Sequence, residues 1–299
     1  MDYLEGLVSV ILPTYKRSIK LERAIESVLN QTYQNLELFL VNDNDNEDSF
    51  TKDLLKRVEK YKTDSRFHLV FQDRHRNGAV ARNVGIRLSR GEYIAFLDDD
   101  DWWKQNKIER QVDVLNKLDS SWGAVSCKYV LYDDQNRVVR KTKKYRSGLI
   151  YKDILRLTTD VGTSTLLVRR KALDESGLFD EDLLRHQDLQ LLVCLTSKFK
   201  LLQINEYLHC CDISDAQNRL NGDKLIEAKA TFFKSVDKQM KMLTKSEQRC
   251  VYAMNDFEVG YVFLKNKEFR KGFRYILHVF KSPHAFLLTI KKVFGRLFK

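Results

Sequence analysis

Short apolar segments alternate with helical patterns through the first hundred residues. Runs rich in Val, Ile and Leu are typical of buried strands, and four occur here, at residues 7–13, 36–41, 67–71 and 93–97. Between them, apolar positions recur at helical spacing after Ser18, at about 49–61 and over 77–88. Ser18 is expected to cap the first helix, and Gly91 to close the last one in a left-handed conformation. Strands and helices in this order predict βαβ units and a mostly parallel sheet.

The second half of the chain has a weaker pattern. Residues 122–132 and 163–168 predict two further strands, and residues 186–197 predict a helix with one apolar face. From about Gly222 onward the pattern is helical. We therefore predict an α/β domain over residues 1–218 and a helical C-terminal extension over residues 219–299.

Charge and cysteine content narrow the class of protein. The net charge is +11, but residues 262–299 contain ten Lys or Arg and one acid, Glu268, so the rest of the chain carries only about +2. The five cysteines form no CxxC pair and no Cys/His set with zinc spacing, which fits a reducing compartment. The sequence suggests neither a signal peptide nor a transmembrane helix, which needs roughly 20 apolar residues. We therefore expect a cytoplasmic protein.

Four consecutive aspartates, Asp98–Asp101, directly follow the apolar run at 93–97. In parallel sheets, ligands bind beyond the carboxyl ends of the strands, and Thr14, Tyr15 and Asp43 follow two other predicted strands. An Asp-x-Asp run offers carboxylates to Mg²⁺ or Mn²⁺, which can offset the charge of a diphosphate. A solvated acidic loop is the alternative, although four like charges beside a buried strand are costly without a cation or donors.

Asp188 lies at the start of the helix predicted over 186–197. A carboxylate in such a place can act as a general base that takes a proton from an attacking hydroxyl. It can equally be a first-turn acid that only interacts with the helix dipole. The residues alone favour this second interpretation.

The motifs together resemble the family-two, GT-A-type inverting glycosyltransferases of bacteria. The matching segments occur in the family's order and cover roughly residues 7–212; they include VSVILPTYKR (8–17), SVLNQTYQNLELFLVNDND (27–45), NGAVARNVGIRLSRGEYIAFLDDDDWW (77–103) and GTSTLLVRRKALDESGLFDEDLLRHQD (162–188). The resemblance implies a GT-A fold, with a Rossmann-like, mostly parallel central sheet flanked by helices and residues 1–218 as the catalytic domain. It also implies inverting, metal-assisted transfer of a sugar from a nucleotide to a glycan or lipid-linked acceptor, in the synthesis of capsule, exopolysaccharide or lipopolysaccharide.

The resemblance assigns roles to matching positions. The implied nucleotide-binding residues are Pro13, Thr14, Tyr15, Asp43, Arg82, Asp98 and Asp99. Among them, Asp43 would accept a hydrogen bond from the base, usually uracil, and Asp98 would lie on the ribose side. Asp100 would be the principal ligand of Mn²⁺ or Mg²⁺, and Asp188 the catalytic base. The donor would be a UDP-hexose or a UDP-N-acetylhexosamine.

Three features depart from the family pattern. Gln187 stands where many members have Glu before the catalytic Asp. The stretch after Asp43 contains NDNED in place of a Gly- and Ser-rich loop. The downstream segment contains YLHCCDISDAQNR in place of Tyr-Arg-x-His, so His209 is out of register as a late metal ligand and is expected to be structural.

The basic C-terminal segment mixes Phe, Leu, Ile and Val with Lys and Arg, and Pro283 divides it into two predicted helices. It would suit an anionic membrane surface, which would make the protein peripheral on the inner face of the cell membrane. It would equally suit a helical appendage that packs on the main domain. Nucleic-acid binding is a weaker interpretation, because no recognised module accompanies the charge, and we expect no nucleic-acid partner.

Two other functions compete with glycosyl transfer. A nucleotidyltransferase would be expected to have a Gly-rich phosphate loop near the N-terminus, and PTYKR contains no glycine. A non-catalytic glycan-binding module on the same fold would require the loss of Asp100 or Asp188, and both are present.

Overall fold

The computed structural model of the protein describes residues 3–16, 20–143, 145–214 and 221–297, and their strands form one mixed sheet. The strands are β1 (Leu4–Thr14), β2 (Leu36–Asn42), β3 (Phe67–Phe71), β4 (Gly91–Phe96), β5 (Trp102–Trp103), β6 (Trp122–Tyr132), β7 (Val138–Lys141), β8 (Ser147–Gly148), β9 (Leu166–Arg169) and β10 (Lys200–Asp212). Across the sheet they follow the order β3-β2-β1-β4-β9-β6-β10-β5, with β7 beside β6 and β8 beside β10.

Helices cover both faces of this sheet and continue to the C-terminus. They are α1 (Leu21–Leu29), α2 (Ser49–Val58), α3 (Gly78–Leu88), α4 (Lys107–Asn116), α5 (Tyr151–Leu155), α6 (Arg170–Ser176), α7 (Gln187–Lys198), α8 (Gly222–Ser235), α9 (Asp237–Lys241), α10 (Lys245–Lys265), α11 (Phe269–Ile276) and α12 (Pro283–Leu297). The predicted α/β class, with helices flanking a mostly parallel sheet, is confirmed.

One half of the sheet places four strand ends at the same edge. β1 is parallel to both β2 and β4, and β3 is parallel to β2. The register pairs Thr14 with Asn42, Asn42 with Phe71, and Ile11 with Phe96, so the carboxyl ends of these strands meet. β9 is antiparallel to β4, and it brings the 3-10 turn Thr163–Thr165 to this edge as well.

The two faces of the sheet bury separate hydrophobic clusters, because successive side chains of a strand point in opposite directions. Val10 and Leu12 of β1 join residues of α1, α2 and α4 on one face. Ile11, between them in sequence, joins residues of α3 and α7 on the other face. Both faces of these strands are therefore covered, which explains why the strands appear in the sequence as continuous apolar runs.

Several predicted elements match closely, but the strand predicted at 163–168 begins only at Leu166, after a 3-10 turn over Thr163–Thr165, and one predicted helix cap is wrong. The strands predicted at 36–41, 67–71 and 122–132 correspond to β2, β3 and β6. Gly91, however, does not cap α3: the helix ends before Ser89, and Gly91 is the first residue of β4. Glycine is required there by close approach, because a Cβ at Gly91 would lie 2.5 Å from Oγ of Ser9 and 2.7 Å from the carbonyl oxygen of Leu7.

Two other expectations fall on undescribed residues. Ser18, the predicted cap of the first helix, lies outside the described residues; α1 begins at Leu21, and Lys20 before it forms no side-chain cap. The predicted boundary at 218/219 also lies outside them. β10 ends at Asp212, and the described residues from 221 onward contain no strand, as the loss of strand patterning suggests.

The C-terminal helices are joined to the main domain through its core. The buried cluster that contains Ile11, Ile94 and Phe96 of the sheet also contains Phe232, Val236, Met240, Leu243 and Val251. In addition, Nδ2 of Asn255 in α10 donates to the carbonyl oxygen of Leu155 in α5 at 2.9 Å. Within the described ranges, no helix combines the length and the apolar character that crossing a bilayer requires.

Candidate functional site

A cleft of about 400 Å³ opens at the edge where β1, β2 and β4 end. It is lined by Pro13, Thr14, Tyr15, Asp43, His75, Gly78, Arg82, Asp98, Asp99, Asp100 and Arg185. The fold thus brings the predicted nucleotide-binding residues and Asp100 into one cavity, although they are spread over almost ninety positions of the chain. The shared strand edge is the physical cause of this convergence.

Asp43 and an aromatic pair form one end of the cleft. The buried Asp43 carboxylate accepts hydrogen bonds from Nε2 of Gln72 at 2.7 Å and from the backbone N–H of Arg76 at 2.9 Å. Its Oδ2 lies 3.1 Å from Nδ1 of His75. Burial raises the pKa of Asp43, while the hydrogen bond from Arg76 and the neighbouring His75 act to lower it. The rings of Tyr15 and His75 stack with their centroids 3.8 Å apart, which provides a flat apolar surface beside a carboxylate.

Asp98 and Asp99 are bound to groups on neighbouring elements. Nη2 of Arg82 donates to Oδ1 of Asp98 at 2.5 Å, which ties the end of β4 to α3. The nearly buried Asp99 accepts from Oγ1 of Thr14 at 2.8 Å and from the backbone N–H of Tyr15 at 3.3 Å. Asp99 therefore holds the end of β1 in place, in addition to lining the cleft.

Asp101 turns away from the cleft and is buried. Its Oδ2 lies 2.7 Å from Nε2 of His209, and its Oδ1 accepts from the backbone N–H of Asp212 at 3.0 Å. Both contacts connect the acidic loop to β10. The backbone oxygen of Asp100 accepts from Nη2 of Arg23 in α1 at 3.1 Å, so the loop is also connected to that helix.

Arg23 and Lys20 form a small cationic cluster next to the acidic loop Asp98–Asp101. The guanidinium of Arg23 lies 3.6 Å from the ring centre of Trp102 and 3.1 Å from Oδ2 of Asp212. Nζ of Lys20 lies 2.8 Å from the other carboxylate oxygen of Asp212. Burial alone would raise the pKa of Asp212, but hydrogen bonds from Lys20, Ser214 and Arg23 lower it to about 2. Asp212 is therefore ionised at neutral pH and fixes these two cations.

The donor set fits a divalent cation that arrives with a diphosphate. Among the described residues, no group of three or more His, Cys, Asp or Glu side chains is arranged to hold a metal by itself. Asp98, Asp99 and Asp100 all line the cleft, and Asp98 and Asp99 also accept hydrogen bonds from Arg82 and Thr14, whereas the buried Asp101 contacts His209 and is not part of the lining. Mg²⁺ and similar ions are typically held by one or two carboxylates together with substrate phosphates. One or two of the cleft carboxylates of Asp98, Asp99 and Asp100 match that mode of binding.

Asp188 lies in the first turn of α7, beside the cleft rather than in its lining. Its side chain is exposed at the surface, although neighbouring protein atoms partly enclose the carboxylate. This enclosure raises the pKa of Asp188; the backbone N–H of Leu189 and the charge of Arg82 act to lower it, and the charge of Asp98 acts to raise it. A carboxylate with a raised pKa binds a proton more readily, which is what a general base requires.

A left-handed residue sets the direction in which α7 begins. His186 has a φ of 62°, a conformation that few residues other than glycine adopt. Its ring packs edge-on against Phe232 of α8 with centroids 5.7 Å apart, and burial lowers the pKa of His186 to about 4, so the ring is neutral at pH 7. The packing of α8 therefore helps to fix the turn that presents Asp188.

The N-termini of α3 and α7 meet beside the cleft. Oδ1 of Asn77 accepts from the backbone N–H groups of Ala79 and Val80 and so caps α3. Nε2 of Gln187 in α7 lies 3.4 Å from the same Asn77 oxygen. Helix N-termini carry partial positive charge, and Arg82 and Arg185 add full charges at the cleft. This region is electrostatically suited to a diphosphate.

Three residues of the cleft lining were not predicted from the sequence: His75, Gly78 and Arg185. His75 follows β3, so the strand-end argument that identified Asp43 could have found it as well. A Cβ at Gly78 would lie 2.8 Å from Nη1 of Arg82, the flexible end of a side chain that can shift, so close approach alone does not require glycine there. Arg185 carries no pattern of its own, and only the folded path of the chain brings it to the cleft.

Comparison with known proteins agrees with this geometry. The family described as "Glycosyl transferase family 2" matches residues 9–177. TuaG of Bacillus subtilis strain 168, named as a putative teichuronic acid biosynthesis glycosyltransferase, is 31% identical over 235 residues, which are 78% of this chain and 88% of TuaG. The Escherichia coli protein WfgD, named as a UDP-Glc:alpha-D-GlcNAc-diphosphoundecaprenol beta-1,3-glucosyltransferase, is 30% identical over 230 residues, which are 76% of this chain and 83% of WfgD.

Solved structures share the fold at low sequence identity. S. aureus TarS 1–349 in complex with UDP-GlcNAc has a TM-score of 0.64 and 13% identity, with 92% of this chain and 91% of that chain covered. The mannosyltransferase PcManGT from Pyrobaculum calidifontis, in complex with GDP-Man and Mn²⁺, has a TM-score of 0.59 and 18% identity, with 98% of this chain and 81% of that chain covered. These likenesses support the α/β architecture and leave the substrates of this chain to be argued from its own residues.

Proposed function

The chain belongs to glycosyl transferase family 2, and from that premise we propose that it transfers a hexose or N-acetylhexosamine from a UDP-sugar, with inversion, to a lipid-linked or other glycan acceptor. The observation that carries the proposal is the single cleft that contains Tyr15, Asp43 and Asp100. The comparisons show that the chain is a glycosyltransferase and that it has relatives in bacterial surface-glycan synthesis.

The base and ribose would occupy the end of the cleft near Asp43. Tyr15 and His75 offer an aromatic surface on which a base can stack, and Asp43 offers a carboxylate that can accept from a base N–H. A carboxylate acceptor suits uracil, whose ring N3–H is a donor. WfgD, a relative at 30% identity, is named for a UDP-sugar donor, which supports UDP as the nucleotide.

The diphosphate would lie between Asp100 and the N-termini of α3 and α7. Asp100 would hold Mn²⁺ or Mg²⁺ against the phosphate oxygens, and the bound ion would supply positive charge to the leaving diphosphate. Arg82 and Arg185 would assist from the protein side. PcManGT, which shares the fold, was solved with Mn²⁺.

Asp188 would act as the base for the acceptor. It would take the proton of the attacking hydroxyl while that oxygen bonds to the anomeric carbon, and the UDP leaves with the electrons of the broken bond on the opposite side. A single displacement of this kind inverts configuration. The location of Asp188 beside the cleft, and the raised pKa that its enclosure produces, support this role.

The acceptor is proposed to be a membrane-bound glycan intermediate. WfgD is named for an acceptor with a diphosphoundecaprenol anchor, and TuaG for teichuronic acid biosynthesis. An enzyme that uses such an acceptor would work as a peripheral protein at the inner face of the cell membrane.

Thermal unfolding with UDP and Mn²⁺ tests the nucleotide and metal sites together. We expect UDP with Mn²⁺ to raise the melting temperature of the wild type, and Mn²⁺ alone to have little effect, because the described carboxylates by themselves form no closed metal site. Asp100→Ala should abolish the metal-dependent part of the shift. Asp113→Ala, which removes an acid from α4 away from the cleft, is the matched control.

Two results would contradict the proposal. One is an unchanged melting curve at millimolar UDP and Mn²⁺. The other is the absence of UDP release when the enzyme is given a range of UDP-sugars and a membrane lipid extract as a source of acceptor. UDP release with and without acceptor also separates this function from a nucleotidyltransferase and from a non-catalytic binding module.

A further inference from the structure

A line of large apolar side chains is exposed on the C-terminal helices. Phe269, Phe273 and Leu277 are each 58% exposed, and Phe280 is 65% exposed. Their spacing of four, four and three residues places them on one side of α11 and of the 3-10 turn Leu277–Lys281 that follows it. We call these four residues the apolar stripe. Contiguous exposed apolar surface of this kind marks an interaction site in folded proteins.

The apolar stripe continues toward α12. The rings of Phe280 and Phe286 lie 5.2 Å apart, and Leu287 in α12 is 57% exposed. Val279 and Ala285, which alternate with these residues along the chain, are buried. The segment therefore has an inner side that packs on the protein and an outer side that is apolar and open.

Close helix packing fixes the orientation of α11. A Cβ added to Gly272 of α11 would lie 2.5 Å from Cδ2 of Leu264, and one added to Gly260 of α10 would lie 2.8 Å from the backbone oxygen of Gly272. The two helices thus touch backbone to backbone at these glycines. Because this contact orients α11, the apolar stripe cannot turn inward without separating the two helices.

Basic side chains flank the apolar stripe. Arg270, Arg274 and Lys281 are exposed, and within the described part of the chain they form no ion pair. Lys271, by contrast, pairs with Asp223 and Glu268. Glu268 is also the single acid among residues 262–299, against ten Lys or Arg. The outer side of α11 therefore combines an apolar centre with a margin of net positive charge, because the two acids there, Asp223 and Glu268, are paired with Lys271.

We propose that the apolar stripe is a membrane-docking face that inserts into the headgroup region of an anionic lipid bilayer, with Arg270, Arg274 and Lys281 on the lipid phosphates. An apolar helix side bordered by Lys and Arg is the typical composition of an interfacial helix. The net positive charge favours this occupant over a second copy of the chain, because two such faces would bring the unpaired Arg270, Arg274 and Lys281 against the same cations of the other copy. The inference extends the proposed function by naming the surface that meets the membrane, and its test needs no sugar nucleotide.

Vesicle sedimentation with the full-length protein tests the proposal. We expect binding to phosphatidylcholine vesicles that contain phosphatidylglycerol, weak binding to pure phosphatidylcholine, and a loss of binding as salt is raised. Replacing Phe273 and Leu277 with Glu should reduce the fraction bound to anionic vesicles by about tenfold or more. Leu88→Glu is the matched control, because Leu88 is also about half exposed, at 52%, but lies at the end of α3.

Two further variants make the result independent of folding defects. Phe273→Trp keeps the apolar surface. The emission of the added tryptophan, measured as the difference between the spectra of the variant and the wild type, should shift to shorter wavelength when anionic vesicles are added. Changing Arg270, Arg274 and Lys281 together to Gln keeps the apolar stripe and should weaken binding to anionic vesicles without altering the melting temperature.

Three outcomes would overturn the proposal. The first is equal vesicle binding by the wild type and by the Phe273→Glu, Leu277→Glu variant. The second is a fluorescence spectrum of the Phe273→Trp variant that vesicles leave unchanged. The third is a wild-type dimer in analytical ultracentrifugation that the Glu variant converts to monomer, which would assign the surface to a second copy. If the protein binds anionic vesicles but UDP with Mn²⁺ does not raise its melting temperature, the membrane-docking face stands and the proposed UDP-sugar donor is rejected.

Discussion

At the scale of single residues, Asp188 is the position where a small change should separate binding from chemistry. We expect Asp188→Asn to retain the UDP- and Mn²⁺-dependent rise in melting temperature, because Asp188 lies outside the lining of the cleft. Transfer should fall by roughly a hundredfold or more, since an amide cannot take the proton of the acceptor. Titration calorimetry with UDP and an assay of UDP release with acceptor measure the two effects.

A control in the loop that precedes α7 makes this test specific. Asp182→Asn removes another exposed carboxylate six positions earlier, and it should leave both nucleotide binding and transfer unchanged. Normal turnover by Asp188→Asn would show that the base is a different residue.

Lys107 is a second residue with a specific expected effect, in this case on how the stability of the protein depends on pH. It is fully buried, its Nζ donates to Oε1 of Gln111 at 2.7 Å, and it lies 3.9 Å from the ring centre of Trp103. Burial lowers the pKa of Lys107 from 10.5 to about 8. Between these values the unfolded chain holds a proton that the folded protein has released, so the free energy of unfolding should rise with pH.

Comparison of the wild type with Lys107→Met isolates this contribution. From pH 7 to pH 9 the wild type should gain on the order of 1 kcal/mol relative to the variant. Urea unfolding at the two pH values measures the difference, and Lys104→Met, a change at an exposed lysine three residues earlier, should keep the wild-type slope. If Lys107→Met shows the same pH dependence as the wild type, Lys107 does not titrate in this range.

At the scale of elements, removal of one hydroxyl group tests how much the N-terminal cap of α10 contributes to stability. Oγ1 of Thr244 accepts from the backbone N–H of Glu247, and the Glu247 side chain accepts from the backbone N–H of Thr244, which completes a capping box. Thr244→Ala should lower the free energy of unfolding by about 1 kcal/mol. Urea denaturation measures this free energy. Ser246→Ala, two positions further on, is the control and should have little effect. Equal stability of the two variants would mean that the cap contributes nothing.

The elements that could be predicted from sequence are those whose pattern is local. β2, β3 and β6 each appear as an apolar run with clear ends. β10 was not predicted, because its pattern is interrupted by Glu206 and it pairs with β6 through several register shifts. The two-residue strands β5 and β8 exist only through their pairing with β10.

The site divides in the same way. The positions of Asp43 and of Asp98, Asp99 and Asp100 at the cleft could be predicted because they follow apolar strands, and parallel strand ends meet at one edge. The different environments of the four consecutive aspartates could not be predicted, because they depend on partners distant in sequence, such as Arg82 for Asp98 and His209 for Asp101. For Asp188 the local pattern alone favoured a simple first-turn acid; its role as the base is implied by the family resemblance and stays a prediction.

At the scale of the whole molecule, the C-terminal helices complete the core of the catalytic part. Phe232, Val236, Met240 and Val251 are buried in one cluster with Ile94 and Phe96 of β4. Phe232 also packs against His186, next to the start of α7. The helical extension therefore supports the element that carries Asp188, and it is more than an appendage with its own stability.

This arrangement predicts how truncated chains behave. A chain of residues 1–218 would expose the apolar surface that α8–α10 cover, and about 25 cal/mol is lost for each Å² of apolar area left in water. We expect it to aggregate or to unfold without a cooperative transition. A chain of residues 1–267, which ends after α10, retains every one of these contacts and should unfold cooperatively while it still binds UDP with Mn²⁺. Circular dichroism melting and UDP titration of both chains decide the matter: a cooperative, UDP-binding 1–218 fragment would show that the catalytic part folds alone, and a 1–267 chain that fails to fold would mean that α11 and α12 are needed as well.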